Sequence, residues 1–131
     1  MREVLKGKVC LHTKIHLRTY TINNVTGKGA TCIVYDAYYL DELGLRHNVR
    51  IKECYPNQYT EGHRNNNEII WHNEDEKRKS LEAFQNTYKK QLFFQNNSLF
   101  TNSTSKITDE LYEGNNTKYI VLDYSISETF E

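Results

Sequence analysis

Residues 74–96 form the one stretch of this chain with a clear helical pattern, and strand-like stretches precede and follow it. Leu81, Phe84, Tyr88 and Leu92 recur at helical spacing and define a single apolar stripe. A helix with one apolar stripe must bury that stripe against another element of the fold. The strands that flank the helix can form a sheet that covers this stripe, so the sequence predicts an α+β domain.

The stretches on either side of the helix have the composition and alternation of β-strands. The first one alternates apolar and polar residues, and the others are rich in β-branched and aromatic residues. They cover residues 9–25, 32–40, 48–55, 106–113 and 119–124. The predicted order is therefore strands, one long helix and then two strands.

The length of 131 residues fits a single domain over residues 1–131. Residues 57–73 are polar and rich in Asn, which predicts an exposed loop between the third strand and the helix.

Composition excludes several classes of partner and site. The 17 acidic and 17 basic residues cancel, whereas a nucleic-acid partner usually requires a basic surplus. No apolar run approaches the roughly 20 residues that span a bilayer, so we expect no membrane partner. Cys10, Cys32 and Cys54 include no C-x-x-C pair, which argues against a zinc site or a disulfide framework. With no apolar leader segment at the N-terminus, these features favour the cytoplasm.

A glycine turn and a lysine carry the main chemical signal. Residues 25–35 have two strand-like ends joined by Gly27-Lys28-Gly29, and residues 49–53 are a β-branched run that holds Lys52. Glycines let backbone N–H groups approach a phosphate because no Cβ stands in the way, and a lysine neutralises phosphate oxygens. The alternative interpretation is an ordinary β-hairpin with turn glycines and a solvent-facing lysine.

In this order and spacing, the two pieces resemble the glycine-rich loop and the β3 lysine of protein kinases. The sequence is most similar to bacterial eukaryotic-like Ser/Thr kinases. Residues 49–56 read V-R-I-K-E-C-Y-P, where that family often has V-A-I-K-E-Y-F-P. Residues 112–124 read Y-E-G-N-N-T-K-Y-I-V-L-D-Y, which is similar to the family's F-E-x-N-G-T-x-Y-x-V-M-E-Y.

The resemblance implies an antiparallel five-stranded sheet with one long packed helix, which would be the N-terminal, ATP-binding lobe of a Ser/Thr protein kinase, with ATP and Mg as the family's cofactors. It assigns nucleotide contacts to Gly27, Lys28, Gly29, Val34, Lys52, Leu122, Asp123 and Tyr124. In this scheme Gly27 and Gly29 would lie over the phosphates, and Lys52 would reach the α- and β-phosphates.

The remaining nucleotide contacts that the resemblance assigns are to the adenine base. Val34 would lie over the adenine and Leu122 would be the gatekeeper, while Asp123 and Tyr124 would offer hinge backbone to the adenine edge. Position 50 is Arg where the family has a small Ala. The guanidinium of Arg50 would crowd the base unless it swings toward a phosphate or a carboxylate, so we expect weak nucleotide binding or none.

The chain also departs from the family at the residues that perform catalysis. Depending on the alignment, the helix glutamate that pairs with the lysine is replaced by Thr87, Tyr88 or Gln91. Residues 1–131 contain no H-R-D or D-F-G motif, so we expect no catalytic or metal-binding residues and no phosphoryl transfer without a C-lobe.

The alternative function is a pseudokinase-type interaction module that binds no nucleotide. Its expected partners are a C-lobe, another protein or a second copy of the chain. A homodimer would use Phe93, Phe94 and a free strand edge near Leu122.

Overall fold

The computed structural model describes residues 3–57, 59–97, 105–107 and 110–124. Within these ranges the chain forms nine strands and one helix. Before the helix lie β1 (Lys8–His12), β2 (Leu17–Lys28), β3 (Cys32–Leu40), β4 (Arg46–Cys54), β5 (His63–Asn65) and β6 (Glu68–Ile70). The helix α1 (Glu74–Asn97) is followed by β7 (Ser105–Ile107), β8 (Tyr112–Gly114) and β9 (Thr117–Tyr124). No helix among the described residues has the length and apolarity needed to cross a membrane.

Six antiparallel strands close a barrel in the order β1-β2-β3-β4-β9-β8. The closing contact pairs His12 on β1 with Glu113 on β8. The side chains that fill the interior are apolar and aromatic, and they include Leu11, Tyr20, Ile33, Tyr35, Ile51, Tyr119 and Val121. The short strand β7 extends the sheet beside β9.

The expected five-stranded sheet packed on a long helix is therefore wrong, and the cause lies near Thr13. The chain reverses there: the Thr13 N–H donates to the His16 carbonyl at 2.8 Å, and the Thr13 hydroxyl accepts from the Ile15 and His16 N–H groups at 3.2 and 2.9 Å. β1 folds back on β2 and supplies the strand that closes the barrel. Ile15 and Leu17, expected on the apolar face, are 72% and 73% exposed.

Helix α1 begins where the sequence predicts and is capped by side chains. The Glu76 N–H donates to the Asn73 side chain at 2.8 Å, and the Glu76 carboxylate accepts from the His72 N–H at 2.9 Å. This reciprocal arrangement satisfies donors that the first helical turn leaves unpaired.

The helix packs on the outside of the barrel through the predicted stripe. Phe84 and Tyr88 are buried against Cys54 and Ile120, whose side chains face outward from β4 and β9. Leu81 and Leu92 flank this contact and are partly buried. The apolar stripe is thus confirmed, although the surface it covers is the outer wall of a barrel.

The segment over residues 57–73 differs from the expected exposed loop. It contains the hairpin β5–β6, whose residues Arg64 and Ile69 are buried. The Ile69 N–H donates to the Asn115 carbonyl at 2.9 Å, and the Trp71 indole donates to the Asn116 carbonyl at 2.8 Å. These bonds tie the hairpin to the turn between β8 and β9.

Candidate functional site

A row of side chains crosses four neighbouring strands on the outer face of the barrel. Gly27 on β2 lies opposite Val34 on β3, and Val34 lies opposite Lys52 on β4. Lys52 in turn lies opposite Ile120 on β9. Residues paired in this way point to the same face of a sheet. The outer row, Gly27–Val34–Lys52–Ile120, thus brings together three residues that the sequence assigned to nucleotide contacts.

Lys52 is the cation of this row. Its side chain is half-buried, and it forms no ion pair or hydrogen bond with another residue in the described part of the chain. At one end of the row, Ile120 lies under α1, and at the other end Gly27 lies in the β2–β3 hairpin. In the register of the strands, Lys52 therefore lies between Val34, next to the β2–β3 hairpin, and Ile120, which packs under α1.

The three helix residues proposed in place of the kinase glutamate differ in their surroundings. Thr87 is exposed, and its hydroxyl donates to the Ala83 carbonyl at 3.1 Å. Tyr88 is buried in the contact between helix and barrel. Gln91 is half-buried, and its side-chain oxygen finds no hydrogen-bond donor among the described residues. None of the three supplies a carboxylate to Lys52.

The fold itself does not require the two turn glycines. A Cβ atom at Gly27 would meet nothing within 4 Å, and one at Gly29 would lie 3.7 Å from the Cys32 carbonyl oxygen, an ordinary contact. Neither residue adopts the left-handed conformation that favours glycine. By contrast, a Cβ at Gly114 would lie 2.9 Å from the Leu11 side chain. Packing explains Gly114, but it does not explain Gly27 or Gly29.

Arg50 occupies the neighbouring position on the same outer face. Its Nε donates to the Asp36 carboxylate across the β3–β4 pair at 3.1 Å. Both side chains are about one-third exposed, at 38% and 32%. Leu122, the expected gatekeeper, lies opposite Arg50 on β9. The guanidinium of Arg50 thus has a carboxylate partner beside the outer row.

The expected hinge residues lie in a strand that is paired on both sides. Asp123 is opposite Val49 on β4 and opposite Lys106 on β7. The backbone of Tyr124 is opposite Ser105 on β7. An adenine edge would therefore compete with β7 for the backbone of β9. Lys28 is exposed at the end of β2, outside the outer row.

The sequence interpretation missed a buried polar cluster inside the barrel. The Glu53 carboxylate accepts hydrogen bonds from Tyr35 at 2.6 Å, Tyr119 at 2.7 Å and Arg64 at 2.5 and 3.2 Å. Both side chains of the Glu53–Arg64 pair are fully buried. The alternation Val49, Ile51, Glu53 could have revealed it, because it predicts that Glu53 points inward.

This polar cluster is electrostatically self-contained. Burial and the adjacent Glu53 carboxylate raise the pKa of Tyr35 and Tyr119, so both phenols stay protonated. Burial acts to lower the pKa of Arg64, but its bonds to Glu53 outweigh that effect and keep the pKa above its usual value. Because the Glu53 carboxylate and the Arg64 guanidinium are already paired with each other, the cluster stabilises the fold and leaves neither charge available to a ligand.

Metal ligands and enclosed cavities do not point to another site. Among the described residues, no group of three or more His, Cys, Asp or Glu side chains is placed to hold a metal ion. Three surface cavities of about 570, 590 and 760 Å³ lie beside Tyr88, Arg64 and Tyr39, and none of them is lined by a residue of the outer row.

Neither the models of known protein families nor the curated proteins match this chain. The outer row and its surroundings are therefore the features of the molecule that bear on function.

Proposed function

We propose that the outer row receives the phosphate groups of ATP and that this chain is the N-terminal ATP-binding lobe of a protein resembling Ser/Thr kinases. The observation that carries the proposal is Lys52, a half-buried cation without an ion-pair partner in the described residues. A cation in that state is favourable where an anionic ligand supplies the missing partner. The lysine suits a phosphate because its ammonium acts as a strong point charge.

The glycines provide the second line of support. Gly27 and Gly29 are required neither by backbone conformation nor by packing. A remaining reason for glycine is the close approach of a ligand to the backbone. Phosphate binding by a glycine turn and a neighbouring lysine uses this combination of residues.

We expect the affinity of the outer row for ATP to be low. Arg50 and Asp36 form an ion pair beside the row, and β7 lies along the strand expected to bind the adenine edge. Both features remove contacts to the base and leave mainly the phosphate contacts. We expect a dissociation constant of about 1 mM or weaker for Mg-ATP, which corresponds to about 4 kcal/mol of binding free energy.

A titration of the full chain with Mg-ATP, followed through backbone amide shifts, tests this proposal. The amides of residues 27–32 and of Lys52 should shift together and in a saturable manner. Lys52→Ala should abolish the shifts, whereas Lys8→Ala, at an exposed position on β1, should leave them unchanged.

Gly27→Ala separates binding from folding. Because a Cβ there meets open space, the variant should unfold at the same urea concentration as the parent chain and still bind Mg-ATP several-fold more weakly. The proposal fails if no amide in the row shifts, or if Lys52→Ala binds as the parent does. A dissociation constant in the low micromolar range would contradict the expected weak affinity.

The second candidate is an interaction module that binds no nucleotide, and two observations favour it. The Arg50–Asp36 ion pair takes the place expected for the adenine. Near the end of α1, Phe93 and Phe94 are 63% and 70% exposed and pack edge to face. Exposed aromatic residues of this kind often mark a contact with another protein. The partner would be a C-lobe, another protein or a second copy of the chain.

Sedimentation across a concentration series tests the homodimer. A dimer that dissociates on Phe94→Lys would support the second candidate with a copy of the chain as partner. A strictly monomeric species at all concentrations would remove the homodimer and leave a C-lobe or other protein as the partner.

The cytoplasm is the compartment that we propose for this chain. Cys10, Cys32 and Cys54 form no disulfide in the structure, and cysteines outside disulfides are typical of a reducing compartment.

A further inference from the structure

Two of the three thiols lie directly opposite each other on neighbouring strands. Cys32, at the start of β3, pairs in register with Cys54, at the end of β4. Both side chains face outward and contribute to the cluster beneath α1, where Cys54 is buried and Cys32 is half-buried. The Cys54 thiol contacts the Ser80 carbonyl of the helix at 3.7 Å.

The backbone shows which kind of antiparallel pair this is. The Cys32 carbonyl accepts from the Gly29 N–H at 2.7 Å, on the side away from β4. The Cys54 carbonyl accepts from the Thr117 hydroxyl at 2.7 Å, on the side away from β3. The adjacent pair, Thr31 and Tyr55, is hydrogen-bonded across the two strands, because the Tyr55 N–H donates to the Thr31 carbonyl at 2.9 Å. Cys32 and Cys54 are therefore a non-hydrogen-bonded pair.

Side chains lie closest together in non-hydrogen-bonded antiparallel pairs. Their Cα atoms are typically about 4.5 Å apart, which lies within the range of about 4.4–6.8 Å that a disulfide requires. We propose that Cys32 and Cys54 form a reversible cross-strand disulfide that locks the glycine turn to the strand carrying Lys52.

The chemistry is ordinary thiol–disulfide exchange with a glutathione-type disulfide. The Cys32 thiolate attacks one sulfur of the oxidised glutathione, which forms a mixed disulfide and releases one glutathione thiolate that takes up a proton. The Cys54 thiolate then attacks the Cys32 sulfur and releases the second glutathione. Two protein thiols are oxidised, and one molecule of oxidised glutathione is reduced to two thiols.

The order of these two steps follows from the surroundings of each thiol. Cys32 is half-buried and accessible, so it meets the oxidant first. Burial raises the pKa of the Cys54 thiol to about 12, and the neighbouring Cys32 adds to this effect. Cys54 is therefore the less reactive thiol toward outside reagents, and its position opposite Cys32 makes the Cys32 sulfur its nearest target.

The expected consequence is a more rigid glycine turn. Cys32 closes that turn through its bond to the Gly29 N–H, and Lys52 lies two residues before Cys54 on the same face. A covalent link at this position restrains the turn relative to β4. The inference does not depend on nucleotide binding, since it concerns the thiols and the hairpin alone.

The experiment uses the full chain carrying Cys10→Ser, which removes the exposed third thiol. The protein is equilibrated with mixtures of reduced and oxidised glutathione, quenched with an alkylating reagent and mapped by peptide mass. We expect Cys32 and Cys54 to disappear together into one linked peptide, and a reductant to restore both. In the control variant with Cys32→Ser added, Cys54 should remain a free thiol throughout.

Trypsin cleavage after the exposed Lys28 gives an independent readout of the turn. Oxidation should slow this cleavage several-fold in the Cys10→Ser chain and leave it unchanged when Cys32→Ser is added. A chain that keeps both thiols, or that accumulates only the mixed disulfide at Cys32, would overturn the proposed disulfide. Unchanged cleavage at Lys28 after full oxidation would overturn the proposed locking of the turn.

Discussion

Glu53 is the residue on which the interior of the barrel depends most. Its carboxylate is fully buried and receives hydrogen bonds from Arg64, Tyr35 and Tyr119. Arg64 also donates to the carbonyl groups of Glu3 and Asn67, at 3.1 and 2.9 Å. One guanidinium thus joins the N-terminal segment, the β5–β6 hairpin and strand β4.

Removal of this guanidinium should destabilise the fold strongly. Arg64→Ala leaves a buried carboxylate without its cation, a change that costs about 3–5 kcal/mol in other proteins. Such a loss is a large part of the total stability of a domain, which is about 5–15 kcal/mol. Urea denaturation would measure the effect. Arg78→Ala, which removes an exposed ion pair on α1, should barely move the midpoint. Equal effects for the two variants would contradict the role given to the buried pair.

The buried phenols predict a loss of stability at alkaline pH. Burial raises the pKa of Tyr20, Tyr35 and Tyr119 in the folded chain, whereas unfolded tyrosine titrates near pH 10. The folded state then binds more protons than the unfolded state above about pH 10, so its stability is complete below that pH and declines above it.

Urea midpoints measured from neutral to alkaline pH would check this dependence. Tyr119→Phe removes one of the titrating groups and should make the decline shallower. Tyr59→Phe, at an exposed position, should leave the decline unchanged. A midpoint that stays constant through about pH 11 would refute the assignment.

At the scale of elements, α1 is attached to the barrel by a small set of contacts. Phe84 and Tyr88 form its buried centre against Cys54 and Ile120. Most of the other helix residues face away from the barrel, and their ion pairs, such as Lys79 with Asp75 at 3.1 Å, are exposed.

Phe84→Ala should therefore weaken the attachment of the helix. Loss of a buried aromatic side chain costs about 3–5 kcal/mol, and the helix contact offers few other residues to compensate. Calorimetry or urea denaturation would record the change, with Phe94→Ala at an exposed position as the control. If Phe84→Ala and Phe94→Ala shift the midpoint alike, the helix does not pack through this stripe.

The elements differ in how well the sequence predicts them, and the reasons are physical. β3 runs from Cys32 to Leu40 as expected, because β-branched and aromatic residues make its strand signal strong. The sequence Gly114-Asn115-Asn116 is also typical of a hairpin turn, and Asn115 and Asn116 adopt φ angles of 51° and 63° in the turn between β8 and β9. Such signals are local, so the sequence carries them directly.

The strand that closes the barrel is the main feature that sequence reasoning missed. In the sequence, apolar and polar residues alternate without a break from Val9 to Thr19. In the structure, the hydroxyl of Thr13 stabilises a reversal of the chain within this stretch. The β5–β6 hairpin was missed for a related reason, since the polar residue Arg64 is buried only because Glu53 lies within the barrel. Both features depend on partners that are distant in the sequence.

Closure of the barrel, a property of the whole molecule, removes the free strand edge that the sequence predicts near Leu122. The strand carrying Leu122 was expected to present a free edge, but β9 pairs with β4 on one side and with β8 and β7 on the other. Edge-to-edge pairing through β9 is therefore blocked in the described part of the chain. Phe93 and Phe94, which are exposed near the end of α1, remain as described residues that could contact a partner.

Closure also determines where a ligand can bind. Aromatic and apolar side chains and the Glu53 cluster fill the barrel interior, so the outer wall offers the accessible chemistry. On that wall, the glycine turn, Lys52 and the Cys32–Cys54 pair lie side by side, and α1 covers the end of the row at Ile120.

Nucleotide binding at the outer row can be tested by labelling the chain with an acyl-phosphate derivative of ATP, which acylates lysines held beside its phosphates. We expect Lys52 to be acylated in preference to Lys28 and Lys118, and excess Mg-ATP to protect it. Peptide mass mapping would identify the modified residue. Labelling of Lys52 at the level of the other two lysines, or labelling that Mg-ATP does not reduce, would contradict the proposal that the outer row binds nucleotide phosphates.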